Sequence, residues 1–530
     1  MHSCFNRRYG RQARVLLIFA AAVTAMVPAR ASYLDDIGVT LLRAVTTNLN
    51  GSGIRVAQPE ADENTNQPPP FEVNPAAVGQ PASLFSYNSS LGSSPAYPNS
   101  LGAESGHADW VAGAFYGLPG GVATNVAHVD NYDADYFINY VVRVMAPIND
   151  RVVNQSFIDS TDPQQILMDQ PTWDPIYDNY AARFNTLFVS GIGNGGPVGA
   201  PATCYNGIGV AAYGGSSSTG PTLDNGRAKP DIAAPASVTS FSTPQVAGAA
   251  AVLMQAGSRG DGGGETNAAA DIRTLKALLL NGAIKPADWT NGTASPLDAR
   301  YGAGVLNVFN SYRQLAGGKQ DYTVSTPVPL GNPHPPTGAT GAVGALSGWD
   351  FNTNSSSTNS DGVNHYYLDV TNGMSNAWFT ATATLVWNRQ QNQTNINHLD
   401  LFLYDANTSN LVASCSSFVD NVEHLFVIQL PPGRYDLQVL KHGGATVSNK
   451  ETYALAFEFF SLSLNIAPSD ANAVLTWPVY PAGFVLESTT NLNSPAAWST
   501  NDLVPTVTNG QNQVVWDASS GNQFFRLWRP

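Results

Sequence analysis

Cysteine is nearly absent from this 530-residue chain, which has three. Cys4 precedes the first apolar run, and Cys204 and Cys415 fall in different predicted domains, so no disulfide framework is expected. Basic residues are few: 25 Lys and Arg stand against 39 Asp and Glu, for a net charge of −14 without a strong basic cluster. That balance gives no footing for nucleic acid as a partner and suits a soluble extracellular surface. Long apolar runs are missing beyond Val15–Val27, which is too short to span a membrane, so no membrane span is expected. Arg7, Arg8, Arg11 and Arg14 precede that run and Ala29-Arg30-Ala31 follows it. Residues 1–31 therefore read as a secretory signal peptide, and the protein is expected to be secreted, extracellular or periplasmic. The stretch 32–50 is too short to fold as a domain. Leu34, Ile37, Leu41, Leu42 and Val45 fall there at helical spacing and predict one helix packed on the domain that follows.

What is present centres on Thr239-Ser240-Phe241-Ser242-Thr243-Pro244-Gln245-Val246-Ala247-Gly248, followed by the small and apolar run Ala249–Met254. Proline suits a first helical turn, and a run with almost no polar face predicts a buried helix over Thr243–Met254. Ser240 would stand at its N-terminal end, where unpaired N–H groups favour negative charge. That place suits a nucleophile whose reaction builds an oxyanion. Taken alone, the pattern more often marks an ordinary serine cap on a core helix.

Four further blocks change that balance: Val152-Val153-Asn154-Gln155-Ser156-Phe157, Ser190-Gly191-Ile192-Gly193-Asn194-Gly195-Gly196, Gly226–Pro235 with Lys229-Pro230-Asp231 inside it, and Arg300-Tyr301-Gly302-Ala303-Gly304-Val305-Leu306-Asn307. With the serine block they resemble, in order, the subtilisin-like serine proteases (subtilases, peptidase S8). Val238 and Gln245 depart from the Gly and His of the family's serine block. Pro235 and Ser240 are close in sequence where the family has a loop, and Val238, β-branched, tolerates positive φ badly, so the backbone leading into the serine is expected to differ. The resemblance implies Ser240 as nucleophile and Asn194 as the oxyanion asparagine.

Of eight histidines, only His107 and His128 lie between the signal segment and Asn307. Ser105-Gly106-His107-Ala108-Asp109-Trp110-Val111-Ala112-Gly113 resembles the family's histidine block, with Ala108, Asp109 and Trp110 as departures. It implies His107 as general base, since a serine hydroxyl is weak until an imidazole takes its proton. His128 reads as a strand residue without a catalytic role. Gly51–Ala61 resembles the family's opening strand and puts Glu60 where the family has aspartate. A carboxylate one methylene longer can still orient the imidazole. Asp62, two residues on, is the alternative acid, and an impaired triad is the third possibility.

The expected fold class is α/β, a three-layer catalytic domain with a mostly parallel sheet over residues 51–317, followed by all-β jelly-roll or sandwich modules. In such sheets the site lies beyond the carboxyl ends of the strands. A Pro, Gly and Thr-rich linker is expected over 318–347. Trp378–Val386, Leu399–Tyr404, Leu411–Ser414, Leu425–Leu430 and Tyr435–Val439 read as strands of a β-sandwich over 348–462, resembling the pre-peptidase-type C-terminal appendages of secreted bacterial proteases. A small β module should fill 463–530.

The combined reading is a secreted serine endopeptidase acting on protein or peptide substrates, with surface or matrix attachment through the C-terminal modules as a further role for them. No organic cofactor is implied. Calcium is common in the resembled family, but no ligand set is visible: Asp369, Asp400, Asp405 and Asp420 are weighed as ligands and read as solvated turn carboxylates. The alternative is a catalytically inactive subtilase-like scaffold acting as an extracellular binding protein. It is motivated by Glu60, Val238, Gln245 and Trp110.

Overall fold

A computed structural model describes residues 33–62, 67–331, 340–370, 379–444, 447–461, 464–469, 472–478, 483–493, 496–500, 503–508, 511–518 and 521–528. The expected signal segment, the Pro333–Pro336 stretch of the expected linker and Trp378 lie outside them. Eight short strands build the main sheet: β1 Arg55–Glu60, β2 Phe85–Ser89, β3 Gly92–Ser94, β4 His128–Asp133, β5 Val152–Gln155, β6 Leu187–Gly191, β7 Ile208–Tyr213 and β8 Ile232–Pro235. They form one sheet in the order β8-β7-β6-β5-β1-β4-β2-β3. Every pair is parallel except β2 with β3 at the edge. The sheet grows outward from β1 in both directions, so its switch point lies between β1 and β5, where a ligand crevice is expected at the carboxyl ends.

The longer helices are α1 Gly106–Phe115, α2 Pro163–Phe184, α3 Thr239–Ser258, α4 Ile272–Asn281 and α5 Val308–Ala316. Helix α3 is buried along almost its whole length and packs on β5, β6 and β7, as its lack of a polar face requires. Gly248 allows the closest approach, since a Cβ there would lie 2.6 Å from Val122 Cβ. The single helix predicted for 32–50 is instead two pieces, Tyr33–Asp36 and Val39–Val45. Gly38 separates them with φ 76°, and a Cβ on it would lie 2.7 Å from Asn307 Oδ1. Leu34, Ile37 and Leu42 still join the core, whereas Val45 is exposed.

Nine antiparallel strands follow: β9 Val324–Pro329, β10 Ser347–Ser355, β11 Ser360–Val370, β12 Phe379–Trp387, β13 Leu399–Asp405, β14 Leu411–Cys415, β15 Val422–Leu430, β16 Gly433–Lys441 and β17 Lys450–Phe460. They make a five-stranded sheet, β9-β11-β16-β13-β14, and a four-stranded one, β10-β17-β12-β15. Leu401, Leu437 and Val439 of the first face Leu385, Leu455 and Phe457 of the second in one core. Part of the expected linker is therefore structure: β9 pairs with β11 as an edge strand, where Pro327 and Pro329 are tolerated. Beyond it, two small sheets enclose Leu475, Trp477, Leu486 and Val514.

The sandwich shares a hydrophobic cluster with the α/β body through Trp349, Val386, Val422, Ala454 and Ala456. Across this junction Asn281 Oδ1 accepts from Thr382 Oγ1 at 2.9 Å and Thr384 Oγ1 at 3.0 Å. Cys204 and Cys415 are both free and buried. Of the four carboxylates weighed for calcium, Asp405 caps a turn and Asp369 pairs with Arg434 at the surface. Asp400 and Asp420 are not solvated. They are 3% and 5% exposed, because Asp400 lies within the β13–β16 pairing and Asp420 is taken up by Ala228 N and Ser417 Oγ at 2.7 Å each.

Candidate active site

Strand β1 carries a proline at the centre of the sheet. Its pairing with β5 ends at Ala57 while pairing with β4 continues to Glu60, so Pro59 sits where one neighbour has already stopped. The strand therefore delivers Glu60, 1% exposed, to the carboxyl end of the sheet. His107 lies in the first turn of α1, whose cap Ser105 accepts from Ala108 N at 3.0 Å. Glu60 Oε2 meets His107 Nδ1 at 2.8 Å. The carboxylate's other oxygen accepts from Gln58 Nε2 at 2.8 Å, and Gln58 Oε1 accepts from Tyr116 OH at 2.6 Å. Burial, then the charge of Glu60, raises the Tyr116 pKa well above its ordinary value, so the phenol stays a donor. With Nδ1 turned to a carboxylate, Nε2 is the imidazole nitrogen left to exchange a proton.

Gln58 is a residue that sequence reasoning passed over. Its signal was an amide set between the apolar Val56-Ala57 and Pro59. Asp62, the alternative acid, is placed differently. Its Oδ1 is buried without a hydrogen-bond partner, and burial followed by the charges of Asp133 and Asp135 pushes its pKa up to about 7.

Helix α3 starts at Thr239, earlier than predicted, so Ser240 lies in its first turn and Pro244 in its interior. Pro244 has no N–H for the carbonyl four residues back, which belongs to Ser240. Ser156 Oγ donates to that carbonyl at 3.0 Å, and Ser240 Oγ in turn donates to Ser156 O at 3.4 Å. Ser240 N–H, in the first turn, has no carbonyl of its own helix to meet. Asn194 follows β6 in a loop pinned by Ser218, whose N–H donates to Gly193 O at 2.8 Å and whose Oγ donates to Gly195 O at 2.9 Å. Asn194 Oδ1 accepts from Thr239 N and Thr239 Oγ1, both at 2.8 Å, which leaves its NH₂ as the end available to a substrate oxygen. The His107 ring lies 6.3 Å from that of Phe241, the residue after Ser240, so the imidazole stands near the helix turn that carries the serine. Exposed Trp110 lies on the same side, its ring 6.1 Å from that of Phe241.

The departures from the resembled pattern have local accounts. Val238 caps α3 in an extended conformation, φ −146° and ψ 160°, which a β-branched residue adopts readily. Gln245 Nε2 donates to Pro235 O at 2.7 Å and Phe241 O at 3.0 Å, tying the strand end to the serine turn. His128 opens β4 and lies beside Ser86 and Asp130. Among the described residues, the group of three His, Cys, Asp or Glu side chains that converges for a metal lies in the sandwich.

Residues 86–304 match the family model described as the subtilase family, Peptidase_S8. No curated protein matches the chain. Among solved structures, the maturation protease PagA of prenylagaramide is similar at 20% identity and TM-score 0.35, over 53% of this chain and 99% of that one. Tripeptidyl peptidase 2 is similar at 12% identity and TM-score 0.31, over 81% of this chain and 52% of that one.

Proposed function

We propose that this protein is an exported serine endopeptidase using a Ser-His-Glu variant of the subtilisin triad. The match of residues 86–304 to the subtilase family supports a serine peptidase. The observation that carries the finer reading is the buried chain Tyr116–Gln58–Glu60–His107, which ends beside the helix turn of Ser240. A polar chain this deeply buried orients one imidazole and holds its tautomer.

In the reaction Ser240 Oγ attacks the scissile carbonyl carbon while His107 Nε2 takes the hydroxyl proton. Glu60 stabilises the imidazolium and remains ionised. The Asn194 NH₂ and the Ser240 N–H hold the oxyanion of the tetrahedral intermediate. His107 then returns the proton to the leaving amine, and the acyl-serine is hydrolysed by a water activated through the same imidazole. Substrates are proteins or peptides. Export rests on the segment 1–31, and surface attachment is assigned to the C-terminal modules.

A fluorophosphonate probe tests the reading. Covalent labelling that disappears in Ser240→Ala is expected; a folded, unlabelled wild-type protein would point to a non-catalytic scaffold.

A further inference from the structure

The register of the five-stranded sheet gathers three ligand atoms at one end of it. Leu399 of β13 pairs with Lys441 of β16. His398 and His442 therefore stand opposite each other one residue further on, joined by His442 N–H donating to His398 O at 3.0 Å. Cross-strand neighbours and residues two apart share a face, so Asp400 joins them. The two imidazoles stack with centroids 4.0 Å apart and planes inclined by 12°. Asp400 Oδ2 lies 2.8 Å from His442 Nε2, and Oδ1 lies 2.9 Å from His398 Nε2.

That second contact is a close ion-pair approach whose geometry falls outside that of an aligned hydrogen bond, and His398 Nε2 and Asp400 Oδ1 are both buried with no other hydrogen-bond partner. Asp400 is only 3% exposed. A carboxylate oxygen and an imidazole nitrogen held this close, without an aligned proton, are costly in an enclosed site. A cation shared between them removes that cost. The surroundings fit the same reading. Asp361 is placed opposite His442 by the Gly362–Lys441 pairing, with Oδ2 3.6 Å from His442 Nδ1, the nitrogen turned away from Asp400. Its carboxylate is fixed by Gly331 N–H at 3.0 Å and Gly443 N–H at 2.6 Å. Metal-ligating histidines characteristically turn the second ring nitrogen toward such a carboxylate.

We propose that His398 Nε2, Asp400 and His442 Nε2 form a binding site for a divalent transition-metal ion of the zinc type. Two imidazoles and one carboxylate are a zinc donor set, whereas calcium takes six or more oxygens. With three protein ligands, one position is left to water or an outside group. The ion ties the start of β13 to the end of β16 and so stabilises the sandwich. This site is independent of the peptidase reading.

The test uses the full exported chain, stripped with EDTA and titrated with Zn²⁺ by calorimetry. Saturation at one equivalent and a raised Tm are expected, with roughly 100-fold weaker binding in His398→Gln and in Asp400→Asn. A wild-type measurement covers the case in which those variants fail to fold. Diethyl pyrocarbonate modification, mapped by mass spectrometry with and without Zn²⁺, should show His398 and His442 protected by the ion. No saturable binding, binding unchanged in both variants, a preference for Ca²⁺, or equal modification of the two histidines with and without Zn²⁺ overturns the proposal.

Discussion

Gln58 and Glu60 lie on the same face of β1, and Gln58 Nε2 holds Glu60 Oε1 at 2.8 Å while the other carboxylate oxygen holds His107 Nδ1 at 2.8 Å. The acid of the proposed triad is clamped at both oxygens. Gln58→Leu leaves one of them without its donor and frees the longer side chain to turn. A lost hydrogen bond to a charged group is worth about 1.5–3 kcal/mol, so kcat should fall roughly tenfold to a hundredfold with little change in KM. Unaltered kcat in a folded variant would mean that the clamp has no bearing on His107.

Glu60→Gln keeps the size and removes the charge that stabilises the imidazolium. The loss in kcat should approach the ~10⁴ that follows when a triad Asp becomes Asn. Asp62→Asn should cost far less, because burial, then the charges of Asp133 and Asp135, hold that group's pKa up at about 7 and so already disfavour its charge. Steady-state kinetics of the pair decide the acid; an inactive Asp62→Asn beside an active Glu60→Gln would reverse the assignment.

Asn194→Leu removes the NH₂ that the two contacts from Thr239 leave available. A drop in kcat of roughly 10²–10³, with KM nearly constant, is the usual cost of one oxyanion donor. Because Thr239 also loses its acceptor, fluorophosphonate labelling that is slowed but still goes to completion on Ser240 would confirm that the serine itself stays in place. Undiminished peptidase kcat removes Asn194 from the site.

Asp231 is buried between Lys229 Nζ at 2.6 Å and Lys276 Nζ at 2.8 Å, both also buried. Asp231→Asn leaves two enclosed ammonium groups without a counter-charge. Breaking such a cluster costs about 3–5 kcal/mol, which chemical denaturation of the Ser240→Ala protein would read as a lowered midpoint. A midpoint equal to that of the parent would contradict the account.

Glu451 is 2% exposed and accepts from Asn397 Nδ2 at 2.6 Å and Gln390 Nε2 at 2.8 Å. Burial pushes its pKa up to about 7, against the pull of those amides. The folded pKa lies above the unfolded one, so the stability this group supports is complete below about pH 4 and is lost as pH rises through about 7. The loss amounts to roughly 3 kcal/mol by pH 8. Glu451→Gln escapes it, so the Tm of the variant should gain on the parent between pH 5 and pH 8. A Tm difference independent of pH would show that Glu451 ionises as freely folded as unfolded.

Much of the fold was legible because local chemistry and packing agree in it. The run after Pro244 has no polar face and can only be a buried helix, and the short stretches at 152–155 and 187–191, each opening on apolar residues, suit parallel strands covered on both sides. The misses lie where a distant residue overrides a local rule. Pro244 sits inside α3 because the hydroxyl of Ser156 serves the Ser240 carbonyl that the proline leaves unmet. The N-terminal helix breaks at Gly38 because Asn307 occupies the space a side chain would need. Gln58 stood in plain view, but its meaning depends on Tyr116, brought to it by the packing of α1. Asp400 reads as a turn residue until the pairing of β13 with β16 encloses it between two imidazoles.

The hydrophobic cluster that runs without a break from Leu34 to Ala456 has a consequence for how the chain can be divided. A module hung on a tether can be exchanged or trimmed at will. This sandwich instead walls off the body's own interior, with Asn281 bonded to Thr382 and Thr384 across the seam. Ending the chain near Gly317 would bare the apolar side of α4 and leave Asn281 short of two donors. The body and the sandwich should therefore melt together, and transplanting the body onto another appendage would require carrying the whole seam along with it.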